Sequence, residues 1–464
     1  MATAITAPTY DPIPTATSLA DQYVAARQQI LKTQTTAASN TEKGLTELNS
    51  ALLAFQSSLS SLTGLNKSVY AQAASFGDAT LGSATASADA AAGTYSFFVK
   101  QLASASQVSF TGLTDDANVG GTLRITMGGV TAFAVNLADA DLDGDGTLST
   151  RELAAAINGA SGNGGKLTAS IVTTGGTSEL VLTARDTGAA GAIGLDTGAM
   201  TGASSLAAAN ADPLRARTLV QARDAEIRVG SEDGTAITQA SNTFTAIDGV
   251  RMTFTKAQAS GAAPVTLTVS QDKDATTANV QAFVDAFNKL KTTLNKLTAA
   301  GDPTKGVSGG AFAHDSGIRA LNERLTSLLR PGSGDSLATY GIIATRTGTL
   351  ELDSERLLKQ LAVNPEGLDA VIGASSSTNP TGVAGGIETY LKTWSNSVDG
   401  QIKQRREATT RTQSTLVERQ AKLDQAHESA YQRYLRQFTQ LQTMQGVMNH
   451  NVSLFDALFS SDKD

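Results

Sequence analysis

The chain has no cysteine among its 464 residues. That removes disulfides, CxxC redox chemistry, thiolate zinc sites and a cysteine nucleophile together. Aromatic residues make up only 5% of it, with a single tryptophan, and charged residues only 17%. With 41% hydrophobic residues and 43 glycines, such a chain points to thin Ala/Gly/Ser/Thr-rich layers that stabilise one another by docking. A basic excess is also missing, since 36 Lys and Arg face 43 Asp and Glu for a net −7. A nucleic acid is therefore not expected as the main partner. No apolar run approaches the about 18 residues of a membrane span, so no membrane is expected either. Met1 to Asp21 lack the basic flank and apolar core of a cleaved secretory signal, and export is expected to proceed without one.

What is present is helical periodicity at both ends with β-type sequence between them. Leu45, Leu48, Leu52, Phe55, Leu59 and Leu62 alternate spacings of three and four, the a/d seam of a coiled coil. Before them, residues 15–40 are more weakly amphipathic, and Pro8, Pro12 and Pro14 predict an extended or disordered start. Residues 401–445 contain no Gly or Pro, and Tyr431, Tyr434, Phe438, Leu441, Met448, Val452 and Phe455 repeat the same spacing, with Gln445 at one polar position. A third seam runs through Val280, Phe283, Phe287, Leu290, Leu294 and Leu297. Such a seam is ordinarily intramolecular core. The terminal pair, with few caps to end it, fits helices that pack together and continue into neighbouring subunits.

Short strands are expected at 95–101, 122–126, 133–136, 168–172, 179–183, 225–229, 250–255 and 265–269, between Gly, Asn and Asp turns. Residues 112–214 hold eleven acids and four bases, so the formal charge of the whole chain sits there. An acidic, Gly-rich segment flanked by more balanced strands reads as one domain inserted in another. The expected division is 1–42 as an extended or helical terminal segment, 43–78 as a coiled-coil helix, 79–111 with 217–271 as a β-rich domain, 112–216 as its insert, 272–424 as a helical domain and 425–464 as a terminal helix.

Three stretches then carry a resemblance. The first is Ala84, Thr85, Ala86 and Ser87 with Gly93, Thr94, Tyr95 and Ser96, then Gln101, Leu102 and Ala103. The second is Ser241, Asn242, Thr243 and Phe244 with Ile247, Asp248, Gly249 and Val250, closing on Val265 to Val269 and Phe287–Asn288. The third is Gly341–Ile342, Gly348 to Asp353, Leu357 and Asn364–Pro365. In this order, between helical ends, they resemble the flagellar filament cap family, hook-associated protein 2 (FliD-type). Within the insert, Gly121 to Ile125, Leu153 to Asn158 and Leu180 to Thr183 resemble the flagellin-type IN hairpin module. The resemblance implies an α+β fold: terminal coiled-coil helices form a leg domain carrying two β-rich head domains, one inserted in the other. It implies an extracellular, non-enzymatic protein that assembles with itself as a ring at the distal tip of the bacterial flagellum and promotes flagellin polymerisation. Its implied partners are flagellin, the hook-filament junction protein and an export chaperone. An alternative is a filament-tip adhesin using the acidic insert, or another flagellar axial subunit.

One motif departs from that family. Asp141, Asp143, Asp145, Gly146 and Glu152 satisfy the D-x-[DN]-x-[DN]-G-x5-E calcium-loop pattern. Ca2+ takes six to eight oxygens, here the carboxylates of Asp141, Asp143 and Asp145, the carbonyl of Thr147, Ser149 directly or through water, and a bidentate Glu152. A plain acidic turn has the same composition. No cofactor is required; a structural Ca2+ is the one ion expected, offsetting repulsion among the acids. A catalytic constellation is not visible: His314, His427 and His450 are scattered, and Gly164–Gly165–Lys166 lacks the hydroxyl residue of a phosphate loop. Lys403, Arg405, Arg406, Arg411, Arg419, Lys422, Arg433 and Arg436 alternate with acids and read as a solvated, salt-bridged helix face. Trp394 reads as a core anchor.

Overall fold

Apolar residues spaced three and four apart from Leu45 to Leu62, with no glycine or proline among them, form the C-terminal part of a 52-residue helix, α1 (Pro12–Thr63). The computed structural model describes residues 11–174, 177–330, 336–376 and 378–460. After α1 come strands β1 (Gln72–Phe76), β2 (Gly82–Ala86), β3 (Gly93–Gln101), β4 (Ala105–Phe110), β5 (Asp116–Ala117), β6 (Gly120–Met127), β7 (Val130–Asn136) and β8 (Thr147–Leu148). Then follow α2 (Thr150–Gly159), β9 (Leu167–Thr174), β10 (Thr177–Thr187), β11 (Ile193–Asp196), β12 (Met200–Thr201), α3 (Ser205–Ala211) and β13 (Ala216–Val220). Strands β14 (Ala225–Val229), β15 (Thr235–Gln239), β16 (Thr243–Ile247), β17 (Val250–Phe254) and β18 (Val265–Gln271) lead to α4 (Lys273–Thr298) and α5 (Ser316–Leu328). The chain closes with β19 (Ile342–Ala344), β20 (Leu350–Leu352), α6 (Ser354–Val363), α7 (Glu366–Ile372), α8 (Gly382–Ser395) and α9 (Gln401–Ser460).

Two compact units result: one takes the chain up to Tyr70 and again from Asp274, the other is Ala71–Lys273. In the helical unit the seam of α1 meets the seam of α4. Leu45, Leu48, Leu52, Phe55 and Leu59 are each at most 2% exposed and share one core with Val280, Phe283, Phe287, Leu290, Leu294 and Leu297. Phe55 and Phe287 touch edge to face with centroids 6.2 Å apart. Each such burial contributes about 1.5–3 kcal/mol. Ile318, Leu321 and Leu325 of α5 and Leu391 and Trp394 of α8 complete the cluster. Lys291 is buried among them and spends its ammonium on Asn322 O (3.1 Å) and Thr326 Oγ1 (2.7 Å); burial lowers its pKa. The carboxylate of Asp369 accepts from Ser68 Oγ and from the amides of Val69 (3.1 Å) and Tyr70 (3.3 Å), which fixes the segment after α1.

The β unit contains a domain within a domain. Its outer part is a five-stranded sheet, β1-β18-β3-β14-β15, facing a three-stranded sheet, β16-β17-β2. Phe76 of one and Phe254 of the other pack at 5.1 Å, with Phe244 at 5.8 Å from Phe254. Strand β3 lies centrally, so Phe97, Phe98 and Val99 are all buried. The insert has a sheet β13-β4-β10-β9 and a second one in which β6 pairs with β7, β11 and β12. Helix α2 packs on β9 and β7 and adds Leu153, Ala154 and Ile157 to the core between them.

Several expectations change here. Residues 105–110 and 217–220, both assigned by sequence to the outer domain, form β4 and most of β13, which pair with each other and, through β4, with β10 of the insert, each pairing with one register shift. The crossing point is instead Ser104 and Arg223, whose backbones bond each other at 3.0 and 3.2 Å. The small residues of β4 carry no composition shift at 112 that marks the true boundary. Helices α1 and α9 run unbroken through the divisions expected at 42/43 and 424/425. Pro12 and Pro14 lie inside the first turn of α1, where N–H groups have no intrahelical partner anyway; Asp11 caps it by accepting from Ile13 N at 3.1 Å. Pro8 lies outside the described residues.

Candidate functional site

Helices α1 and α9 pack against each other and run antiparallel. Arg406 reaches Thr46 (2.6 Å) and Glu42 (3.5 Å), Gln420 reaches Gln28 (3.2 Å), and His427 Nε2 lies 2.8 Å from Asp21 Oδ1. The apolar contact between them is thin: Val24, Leu31 and Ala38 against Leu416 and Leu423, with Ala16, Ala20 and Ala430 also buried. Arg433 adds cation–π contacts to Tyr23 (5.7 Å) and Tyr434 (4.9 Å).

The residues expected to mediate assembly separate into two groups. Leu45, Leu48, Leu52, Phe55 and Leu59 are inside the helical unit's own core, with Leu62 packed against it. The expectation that this seam faces other subunits is therefore corrected: α4, more than two hundred residues away, takes the place of a partner chain. Tyr431, Tyr434 and Phe438 are half-buried. Farther along α9, Leu441 is 40% exposed, Met448 61%, Val452 49% and Phe455 61%. Met444, Val447 and Leu454 are exposed too and widen this apolar stripe. A strict a/d reading passes over them, although apolar residues on flanking helix positions were the available signal.

The acidic loop follows strand β7 and leads into α2. Asp141, Asp143 and Asp145 bring carboxylate oxygens within 4.8 Å of one another. Asp141 accepts from the amides of Gly144 (2.7 Å) and Gly146 (2.9 Å), and Asp145 from Thr147 N (2.7 Å). Gly144 and Gly146 have φ of 73° and 83°, the left-handed region that glycine enters without strain. Thr147 lies in β8, paired with Ala117 of β5. Ser149 and Glu152 are engaged with each other. Ser149 caps α2, and Glu152 Oε2 accepts from Ser149 N (2.9 Å) and Oγ (2.8 Å). Its Oε1 accepts from Leu142 N (2.8 Å) and Asp143 N (3.3 Å). The expected bidentate ligand is thus a capping box that also closes the loop.

These contacts set the acidities. The Ser149 amide first, then the Ser149 hydroxyl and the Leu142 amide, hold Glu152 down to about 2. At Asp143 the Asp145 amide pulls the value down, but desolvation and repulsion from Asp145, Glu152 and Asp141 leave it raised. The other candidates are structural. Lys166 of the glycine turn donates to Ala132 O (3.0 Å) and Gly162 O (3.1 Å). Arg405 pairs with Asp315 and stacks over the buried Trp394 at 5.6 Å. Lys403 lies 3.9 Å from Glu407.

Comparison with known proteins decides the family. The model of the flagellar hook-associated protein 2 N-terminus matches residues 15–106, and that of its C-terminus residues 222–450. The chain belongs to the flagellar hook-associated protein 2 family. The stretch between the two matches is the inserted domain, which enters and leaves at Ser104 and Arg223. The lateral flagellar hook-associated protein 2 of Vibrio parahaemolyticus is 34% identical over 383 residues, covering 80% of this chain and 83% of its own. The B-type flagellar hook-associated protein 2 of Pseudomonas aeruginosa is 31% identical over 426 residues, 87% of this chain and 86% of its own. The crystal structure of the D1-D2-D3 domains of the Escherichia coli flagellar cap protein FliD shares the fold with a TM-score of 0.60 at 24% identity, over 80% of this chain and 99% of that one.

Glu152 gives a test of the loop. Its folded-state pKa lies below the ordinary 4.5, so the stabilisation is present above that value and lost as pH falls towards about 2. Melting temperature measured across this window is expected to fall more steeply for the parent than for Glu152→Gln, which has no carboxylate to protonate. Equal slopes would show that the capping box does not form in solution.

Proposed function

We propose that this chain caps the growing flagellar filament: several copies assemble as a ring at the distal tip, outside the cell, and promote flagellin polymerisation. The observation that carries the reading is family membership over both ends of the chain, together with the exposed stripe Leu441, Met444, Val447, Met448 and Val452 on α9. Such a stripe is larger than a helix in water needs and suits packing against other helices. In this reading the mechanism is steric. The ring holds flagellin where it emerges and leaves one place open at a time, with no side chain acting as a catalytic group. Other partners would be the hook-filament junction protein and an export chaperone. No feature of the relatives favours an adhesin.

Complementation tests it. In a bacterium lacking its own copy, the intact chain is expected to restore filaments, whereas Leu441→Ser/Met448→Ser/Val452→Ser, folded as judged by an unchanged melt, is expected to release monomeric flagellin into the medium. Normal filaments from the triple variant would overturn the assembly role of this stripe.

The loop at Asp141, Asp143 and Asp145 is in our reading a Ca2+ site of modest affinity. Three carboxylates this close repel one another, and a divalent cation offsets that repulsion. Thr147 O and water would complete the oxygen set, and Glu152 would join only by leaving Ser149. Calorimetry in millimolar Ca2+ is expected to give binding heat and a raised melting temperature, both lost in Asp143→Asn/Asp145→Asn. Neither signal in the parent would exclude the site.

A further inference from the structure

Strand β9 closes one side of the sheet β13-β4-β10-β9 and pairs with β10 along its length without a register break. An open strand edge is a template for another chain, and proteins usually blunt it with lysine, proline or a bulge. Residues 167–174 read Leu-Thr-Ala-Ser-Ile-Val-Thr-Thr and contain none of these. Antiparallel alternation fixes which groups face outward. Since Arg185 N donates to Lys166 O at 2.9 Å, residues 166, 168, 170 and 172 face β10, and Leu167, Ala169, Ile171 and Thr173 turn their N–H and C=O to the free side.

Two of those four residues are met by side-chain amides. Asn158, on the last turn of α2, donates from Nδ2 to Ala169 O at 2.8 Å and accepts from Ala169 N at Oδ1, also 2.8 Å. Asn163, in the turn that follows, donates to Leu167 O at 3.1 Å and accepts from Leu167 N at 3.1 Å. A carboxamide offers one acceptor and one donor side by side, so each asparagine reproduces the paired bonds that a residue of a neighbouring strand would make. Asn163 is 3% exposed and also donates to Ile157 O at 3.2 Å, so it ends α2 as well. Asn158 is exposed and makes only the Ala169 pair among the described contacts of its side chain.

We propose that Asn158 and Asn163 together act as a surrogate strand that keeps the β9 edge from pairing with the same edge of a second copy of this chain. A second copy is the occupant because the edge is self-compatible. In an antiparallel self-pairing Thr168, Ser170 and Val172 would lie on one face with no like charges opposed, and Val172 is already 46% exposed. In a protein that presents many copies side by side, unguarded edges of this kind would join chains through the wrong surface. The guards sit at one end of the strand; among the described residues nothing caps Ile171 and Thr173, too short a stretch to hold a partner strand.

The test uses the full chain with the exposed guard removed. Asn158→Ala is expected to keep the parent's far-UV circular dichroism and to self-associate at least tenfold more tightly in sedimentation velocity across a concentration series. Adding Val172→Lys to Asn158→Ala places two ammonium groups across the paired edge and is expected to return association to the parent's level, separating this edge from contacts made elsewhere. If Asn158→Ala melts earlier but associates no more than the parent, or if Val172→Lys leaves its association unchanged, the asparagine is only a helix-end support and the proposal fails.

Discussion

The rest of the helical unit depends on one buried core, to which α1, α4, α5 and α8 all contribute. Leu45 to Leu59 and Val280 to Leu297 are more than two hundred residues apart in sequence, yet they form one buried seam with Phe55 set against Phe287. Closing so long a loop costs little more than closing a short one, because the entropy penalty grows only with the logarithm of length. It costs less again when the inserted unit returns the chain to its starting point. It does so here: Asp272 N bonds Ala71 O at 3.0 Å, and Gln72 pairs with Gln271. The same device recurs one level down, where Ser104 and Arg223 close the inner domain. Nesting is thus a consequence of paired entry and exit strands, and it lets the innermost domain differ from relatives without disturbing the core that holds the ends.

The periodic elements were legible in the sequence, and the partnerships were not. Three seams of apolar residues gave the long helices, and alternation gave strands such as 225–229, and 265–269 against an observed 265–271. The class of fold and the family followed from those elements and their order. Period alone does not say what faces a seam, so the leucines of α1 read as an assembly surface when the chain itself supplies their partner. Residues 105–110 were assigned to the outer domain because Ala105 and Ser106 have too little side chain to mark a face. Prolines at 12 and 14 read as a breaker because the first turn of a helix tolerates what its interior does not.

The acidic loop shows a further limit. Spacing placed six oxygen donors in line for a cation, and did not show that Glu152 also accepts from four donors on Leu142, Asp143 and Ser149. Asn158 and Asn163 behave in the same way, as side chains occupied with backbone groups that no regular element reaches. In a chain poor in charge and aromatic bulk, such local pairings do much of the specifying. They are invisible to patterns that ask only whether a residue is apolar.

The central claim is that the N-terminal seam is core in the single chain, while the far end of α9 is where the chain meets other subunits. Hydrogen exchange on a dilute, monomeric sample tests it most directly. Amides of residues 45–59 are predicted to exchange only with unfolding of the helical unit, and those of 441–454 within minutes, becoming slow when the chain assembles. Rapid exchange at 45–59 in the monomer, with protection gained only on assembly, would contradict it.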